Sequence, residues 1–351
     1  MQRQLQLTDW LVSLFPGEKF AITPASADAS FRRYFRVTFS NSDYLALLSG
    51  GAMQATVGQH STLIVMDAPP QHEDCHPFLR IGKLLEAADV HVPHVYAQDL
   101  QQGFLLLSDL GDATYLDALN TTNATKLYDA ATDALIKIQL ASAENQLPRY
   151  DEALLLREMR LFPEWYIGRH LNITLSAAQN AKLENVFARI VANNLAQPRV
   201  YVHRDFHSRN LMIAEPVPGI LDFQDAVYGP ITYDLASLFK DAYVHWEEAQ
   251  TLDWLIRYWE KARAAGLPVV GDFSAFYCDY EWMAVQRHLK ILGIFARLYY
   301  RDGKDGYLKN LPLVMAYLRA ACARYIDLKP LLNLLDTLAP HDLQKNSGAT
   351  K

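Results

Sequence analysis

The stretch YVHRDFHSRNLMIAEPVPGILDF, Tyr201 to Phe223, is a polar loop set between short apolar segments, and its acidic and amide side chains decide how the rest of the chain is read. It places Asp205 five residues before Asn210. After the turn EPVPG it sets Asp222 at the end of a second apolar segment, twelve residues past Asn210. A carboxylate beside an attacking hydroxyl can orient it and accept its proton, and an amide oxygen a turn further on can ligate magnesium. Magnesium takes one or two carboxylates together with phosphate oxygens, which makes Asp222 a second candidate ligand. Asp, Asn and His are each common in turns and caps, so no one of these residues is specific. The three in this order and at these separations suit phosphoryl transfer.

Working outward, the first hundred residues read as a sheet with one inserted helix. Thr8 to Phe15 is a short amphipathic helix, and Phe31 to Thr38 and Leu63 to Met66 carry the aromatic and β-branched residues of strands. His94 to Gln98 and Phe104 to Leu107 form a second strand pair about a turn ending in Gly103. Between the pairs, Phe78 to Ala88 has apolar residues at helical spacing and is stopped by Pro93. Beyond SDLGD, Ser108 to Asp112, long helices are expected over Thr125 to Ala141, Leu154 to Tyr166, Ser176 to Asn193, Trp246 to Ala265 and Phe273 to Arg301. The predicted class is α+β, with a small β-rich lobe over residues 1–107, a hinge over 108–112 and a large helical lobe over 113–351. The polar tail from His341 to Lys351 is expected to be disordered.

Composition excludes several classes. The chain has 351 residues, half of them apolar, and a formal charge of -6 with the two signs interspersed. No cluster of Lys and Arg is present to neutralise a nucleic-acid backbone. Cys75, Cys278 and Cys322 are odd in number and widely spaced, which predicts free thiols in a reducing compartment. There is no run of about eighteen apolar residues to span a membrane. The apolar patch near the N-terminus is too short for a signal peptide. A soluble, cytoplasmic, monomeric protein is expected.

The pattern HxDxxxxN followed by a strand-terminal Asp resembles the signature shared by protein kinases and the aminoglycoside phosphotransferase family. His207, two residues after Asp205, and YDLASLF after Asp222 are similar to the second of these. The resemblance implies a protein-kinase-like two-lobed fold that uses ATP and Mg2+. In it Asp205 is the catalytic base, Asn210 and Asp222 are the magnesium ligands, and Asp234 is a buried brace for the catalytic loop. It puts backbone groups of Ser108, Asp109 and Leu110 against adenine and Asp112 near the ribose. His203 and His207 are expected to be structural, packing the loop. Asp234 also opens an apolar helix, where an acidic side chain can cap amide groups.

The chain departs from the family in the first lobe. DASFRRYFRV, Asp28 to Val37, stands in place of the phosphate-covering hairpin and contains no glycine, and TLIVMDAPP has Met66 or its neighbours where a phosphate-gripping lysine is expected. Arg32, Arg33 and Arg36 are the candidate replacements, since guanidinium forks bind phosphate oxygens in pairs. The alternative is that they face solvent.

Only eleven residues separate Asp222 from Asp234, too few for the activation and docking segment that a protein substrate needs, so the acceptor should be small. ILDFQDAVYGPITYDLASLFKDAYVHW, LIVMDAPP, ASFRRYFRV and SDLGD together resemble the bacterial anomeric kinases of cell-wall recycling that act on N-acetylmuramate and N-acetylglucosamine. This likeness spans about Ala25 to Arg301 and covers the missing lysine. An anomeric hydroxyl is more acidic than an ordinary alcohol, so Asp205 need only orient it. Candidate sugar contacts are Gln224, Asp225, Tyr228, Trp282, Arg287 and His288, with Arg287 the candidate cation for the lactyl carboxylate of muramate. Two rivals stand beside this reading. One is an aminoglycoside, choline or homoserine phosphotransferase of the same fold, which the mixed charge of EWMAVQRHLK, Glu281 to Lys290, disfavours. The other is a non-catalytic nucleotide-binding scaffold, which the joint presence of Asp205, Asn210 and Asp222 disfavours.

Overall fold

A computed structural model describes residues 2–27, 31–40 and 62–348. The chain forms two compact units, the first comprising Met1–Ala118 and Leu211–Asp225, the second Leu119–Asn210 and Ala226–Lys351. The class is α+β, as the sequence predicts.

The first unit is built on a five-stranded antiparallel sheet in the order β1-β2-β3-β5-β4, from β1 (Phe20–Ala27), β2 (Arg33–Phe39), β3 (Thr62–Asp67), β4 (Val95–Asp99) and β5 (Phe104–Ser108). Strand β1 escapes the sequence reading because Pro24 interrupts its pattern. It lies at the edge of the sheet, with a register shift between Pro24 and Ser26, and an edge is where proline is tolerated. Helix α1 (Gln2–Leu14) buries Leu7, Trp10 and Leu11 against Val37, Phe39, Leu63, Val65, Phe104 and Leu106. It begins six residues before the expected Thr8 because Arg3 has tertiary partners: its Nε donates to Asp67 Oδ1 at 2.8 Å and its guanidinium lies 4.4 Å from the Phe104 ring centre. Helix α2 (His76–Ala87) buries Phe78, Ile81 and Leu85. The turn before β5 needs Gly103 at φ +71, where a Cβ would lie 1.9 Å from the Ala68 carbonyl oxygen. Of the expected hairpin segment, Asp28 to Ser30 lie outside the described residues.

The second unit is helical, with α3 (Ala124–Leu140), α4 (Glu152–Met159), α5 (Ala177–Ala196), α6 (Tyr233–Phe239), α7 (Glu248–Ala264), α8 (Phe273–Tyr300), α9 (Leu311–Arg324) and α10 (Lys329–Gly348). A two-stranded ribbon, β6 (Arg199–Val202) against a strand at Val227–Pro230, is its only sheet among the described residues. The helix expected from Leu154 to Tyr166 is divided: α4 ends at Met159 and a π-helix runs from Phe162 to His170. Pro163 has no N–H to continue the ladder of α4. Ser176 and Gln179 form a capping box at the start of α5. Past Arg301 two further helices appear, and α10 runs through His341 to Gly348, which corrects the expectation of disorder there. Its leucines, among them Leu331, Leu335 and Leu338, are buried against α5 and α9, and a helix nucleated by such packing propagates into a polar tail at little cost.

Helix α8 is the centre of this unit. Asp272 caps it, accepting from Ser274 N and Ala275 N at 3.3 and 3.1 Å, and it packs on the π-helix, α4, α5, α6 and α9. Gly293 permits the closest of these approaches: a Cβ there would lie 2.3 Å from the Leu161 carbonyl carbon. Backbone cannot yield as a side-chain tip can, so Gly293→Ala should destabilise the protein by roughly 1–3 kcal/mol. Urea denaturation measures it, and an unchanged midpoint would show that the two helices have room to part.

Candidate active site

The loop that carries Asp205 leaves β6 under tight control. Asp234, on α6 and almost wholly buried, accepts from His203 N at 2.7 Å and from Arg204 N at 3.0 Å. Its carboxylate therefore holds two successive amides of the loop and not the amides of its own helix. Arg204 takes φ +77, a left-handed conformation that a non-glycine residue keeps only when its surroundings fix it. Two contacts do so here, the amide bond to Asp234 and an ion pair from the side chain to Glu158 at 2.6 Å. Burial pushes the Asp234 carboxyl up to about 7, against the pull of the two N–H donors.

Past Arg204 the loop closes on itself. Asp205 N donates to His203 Nδ1 at 3.3 Å, and the Asp205 carbonyl accepts from His207 N at 3.1 Å and from Asn210 Nδ2 at 2.9 Å. The Asn210 amide is thereby oriented, its NH2 side turned to the loop. Ser208 N donates to buried Asp241 at 3.0 Å. His207 has its ring 5.5 Å from that of Tyr243, and burial pushes its pKa down. No donor among the described residues is paired with the Asp205 carboxylate oxygens. Burial works against ionisation of Asp205, but Lys290, then His207, Arg287 and Arg204, more than offset it and hold the carboxyl down to about 2.

Behind the loop lies a buried polar cluster that the sequence reading missed. Glu158 takes Arg204, Lys290 Nζ at 3.2 Å, the Tyr150 hydroxyl, and Gln286 Nε2 at 3.1 Å, while Lys290 also donates to the Tyr233 hydroxyl at 3.0 Å. Burial is offset by Lys290 and Arg204, and the Glu158 pKa lies below the usual value. The signal in the sequence was a charge of each sign, Glu158 and Lys290, on the apolar side of a helix.

The first unit positions Asp222. A hairpin of β7 (Leu211–Met212) and β8 (Gly219–Ile220) is tied to the unit by Ile213 N to Ala113 O and Ile220 N to His91 O, both 2.8 Å. Asp222 follows at φ +64, and Phe223 is buried with its ring 4.8 Å from Phe78 of α2. Gln224, an expected sugar contact, donates to Asp222 Oδ1 at 2.7 Å. The three arginines of the first lobe differ. Arg32 Nη2 lies 3.7 Å from Asp222 and its Nε 3.9 Å from Glu73, Arg33 pairs with buried Asp67, and Arg36 grips Asp109 through two nitrogens and Asp112 through a third. In the expected adenine segment, Ser108 N already donates to the His94 carbonyl at 2.9 Å, which leaves Asp109 and Leu110 to offer backbone groups.

The remaining expected sugar contacts fall apart in kind. Asp225 is exposed, and Tyr228 sits in the ribbon against Tyr201 with ring centres 6.5 Å apart. Trp282 packs on Tyr325, and His288 is in the core, its ring stacked 5.3 Å from that of Tyr317 and its Nε2 3.2 Å from the Lys240 carbonyl. Arg287 alone of this group acts on Asp205 within the helical unit. No helix among the described residues is long and apolar enough to cross a membrane, and the three cysteines are unpaired.

Residues 21–270 match the model of the phosphotransferase enzyme family. A Pseudomonas putida protein named N-acetylmuramate/N-acetylglucosamine kinase is 49% identical over 318 residues, 91% of this chain and 88% of its own length. A Neisseria meningitidis protein of the same name is 47% identical over 340 residues, 95% of this chain and 96% of its own. Among solved structures, a choline/ethanolamine kinase family protein from Mesorhizobium loti superposes with a TM-score of 0.61 at 13% identity, covering 94% of this chain and 98% of that one. An ADP-bound aminoglycoside phosphotransferase gives 0.52 at 14% identity, covering 89% and 96%. At these identities the two structures establish the fold.

The brace at Asp234 is open to test. Asp234→Asn keeps the shape but turns an NH2 toward an amide donor, leaving a buried N–H without an acceptor, at a cost of roughly 1–3 kcal/mol. Turnover should fall by more than the stability loss explains at temperatures where the variant is folded. Wild-type stability and turnover together would show that the loop keeps its shape without this carboxylate.

Proposed function

Because this chain belongs to the phosphotransferase enzyme family, we propose that it is an ATP-dependent kinase that phosphorylates the anomeric hydroxyl of N-acetylmuramate and N-acetylglucosamine. The observation that carries the acceptor is the identity of 47–49% over nearly the whole chain with two proteins named for those sugars. An ADP-bound structure of the same fold supports a nucleotide donor. The product is the sugar 1-phosphate, made in the cytoplasm by a monomer as a step of cell-wall recycling.

Asp205 is the catalytic residue of this reading. Its carboxylate accepts a hydrogen bond from the sugar hydroxyl and receives the proton as the oxygen attacks the terminal phosphorus and the nucleoside diphosphate departs. The surrounding cations make it a weak base, adequate for an anomeric hydroxyl, whose acidity is raised by the ring oxygen. Asn210 and Asp222 are the magnesium ligands by the order and spacing of the motif, and their amide and carboxylate oxygens are hard donors suited to that ion. When bound, the ion neutralises charge on the nucleotide phosphates.

Arg32 is the phosphate-facing cation in place of the absent lysine, because it is the arginine that lies beside Asp222. Arg36 instead supports the fold, since removing it leaves Asp109 buried without its partner, a loss of about 3–5 kcal/mol. Arg32→Ala should therefore raise the apparent constant for ATP about tenfold or more with little change in melting temperature, whereas Arg36→Ala should lower the melting temperature first. Equal effects of the two on nucleotide affinity would remove Arg32 from this role.

The site of transfer separates this reading from the other phosphotransferases of the fold. A methyl glycoside of N-acetylglucosamine has no anomeric hydroxyl but keeps the acetamido group and the C6 hydroxyl, so it should not be phosphorylated. Free N-acetylglucosamine and N-acetylmuramate should give acid-labile, non-reducing 1-phosphates identified by mass and by loss of copper reduction. Phosphorylation of the methyl glycoside, or of kanamycin or choline in preference to the two sugars, would overturn the acceptor.

A further inference from the structure

Three cations of the helical unit act on Asp205, and two of them already have an acid. Arg204 and Lys290 both pair with Glu158, at 2.6 and 3.2 Å. The third is Arg287, on α8 three residues before Lys290. Only 4% of its surface is exposed, and its Nε and Nη1 are shielded from solvent with no hydrogen-bond partner. It makes no ion pair among the described residues, although it acts electrostatically on Asp205, His207 and Asp234. A guanidinium buried with its N–H groups unpaired is costly, and its planar fork matches a carboxylate two bonds at a time.

The neighbours cannot meet that need. Asp234 has both oxygens turned to the amides of His203 and Arg204. Asp241, the other acid near His207, accepts from Ser208 N and Tyr243 N. Asp205 must keep its carboxylate for the acceptor hydroxyl. Beside the Asp205 carboxylate there is thus a buried positive charge with donors to spare, and the two neighbouring acids, Asp234 and Asp241, are engaged with backbone amides.

We propose that Arg287 is a specificity-determining residue that binds the carboxylate of the acceptor, the lactyl group of N-acetylmuramate, and so separates that sugar from N-acetylglucosamine, which has none. This rests on the acceptor reading given above. On the sugar ring C1 and C3 flank the same carbon, so a short acid arm at C3 reaches a cation beside the group that holds the C1 hydroxyl. With N-acetylglucosamine the guanidinium stays unpaired, and the neutral sugar is the poorer substrate for that reason.

The test compares two substrates in two proteins. Arg287→Gln should lower kcat/KM for N-acetylmuramate on the order of a hundredfold and for N-acetylglucosamine by a few-fold at most. The methyl ester of N-acetylmuramate, which keeps the arm and removes its charge, should be correspondingly poor with the wild type and should lose little more in the variant. Because the ester measurement uses the wild type, it stands even where the variant folds badly. Equal losses for both sugars in Arg287→Gln would assign the guanidinium to the transferred phosphoryl group and overturn the proposal. A wild type that does not distinguish the acid from its ester would overturn it as well. A wild type inert toward both free sugars would instead sink the acceptor reading, an outcome visible before any variant is made.

Discussion

The carboxylate of Asp234 accepts hydrogen bonds from the amides of His203 and Arg204, and the shape of the loop that carries Asp205 follows from that pair of bonds. With two successive N–H groups drawn to one side chain, the chain turns sharply at Arg204 into the left-handed region, φ +77, where few non-glycine residues stay unaided. The turn sends the Arg204 side chain inward to Glu158 and carries Asp205 forward, with its carbonyl available to the amides of His207 and Asn210. The brace and the ion pair hold the strained residue from either side, and Asp205 follows it directly.

The buried cluster behind the loop has a related logic. Glu158, Arg204, Lys290, Tyr150, Tyr233 and Gln286 bring charge into the middle of a helical core, where an unpaired member would be destabilising. What the cluster supplies is position. Helices α4, α6 and α8 each contribute a member, so the loop is referenced to three elements of the unit at once. The same cations keep Asp205 ionised far below neutral pH, as the role proposed for it needs.

How much of this was legible in the sequence depended on range. The order Asp205, Asn210, Asp222, Asp234 is a local pattern, and it led to the family and to the two-part α+β organisation. Long helices were found where apolar spacing ran unbroken, as from Phe273, and the ends moved where a tertiary contact intervened, as Arg3 does for α1. Strand β1 was hidden by Pro24, and α10 by its polar end. The Glu158–Lys290 pair joins positions far apart in the chain, so neither charge, set among apolar residues of its own helix, has its partner in the local pattern. Gln224 and His288 stand out in the sequence by their chemistry; what the sequence does not carry is that the one donates to Asp222 and the other is closed in the core.

The absent lysine has a physical explanation in the first unit. Met66, one of the positions where the cation was expected, is 1% exposed, and Asp67 beside it is held by Arg3 and Arg33. An ammonium at position 66 would be buried with the adjacent acid already shared between two guanidinium groups, and burial without a partner is the least favourable state for a lysine. The positive charge beside Asp222 therefore comes from the β2 side. Arg36 is drawn off by Asp109 and Asp112, and Arg33 by Asp67, so that of the three arginines Arg32, just ahead of the strand, is the one set against the Asp222 carboxylate.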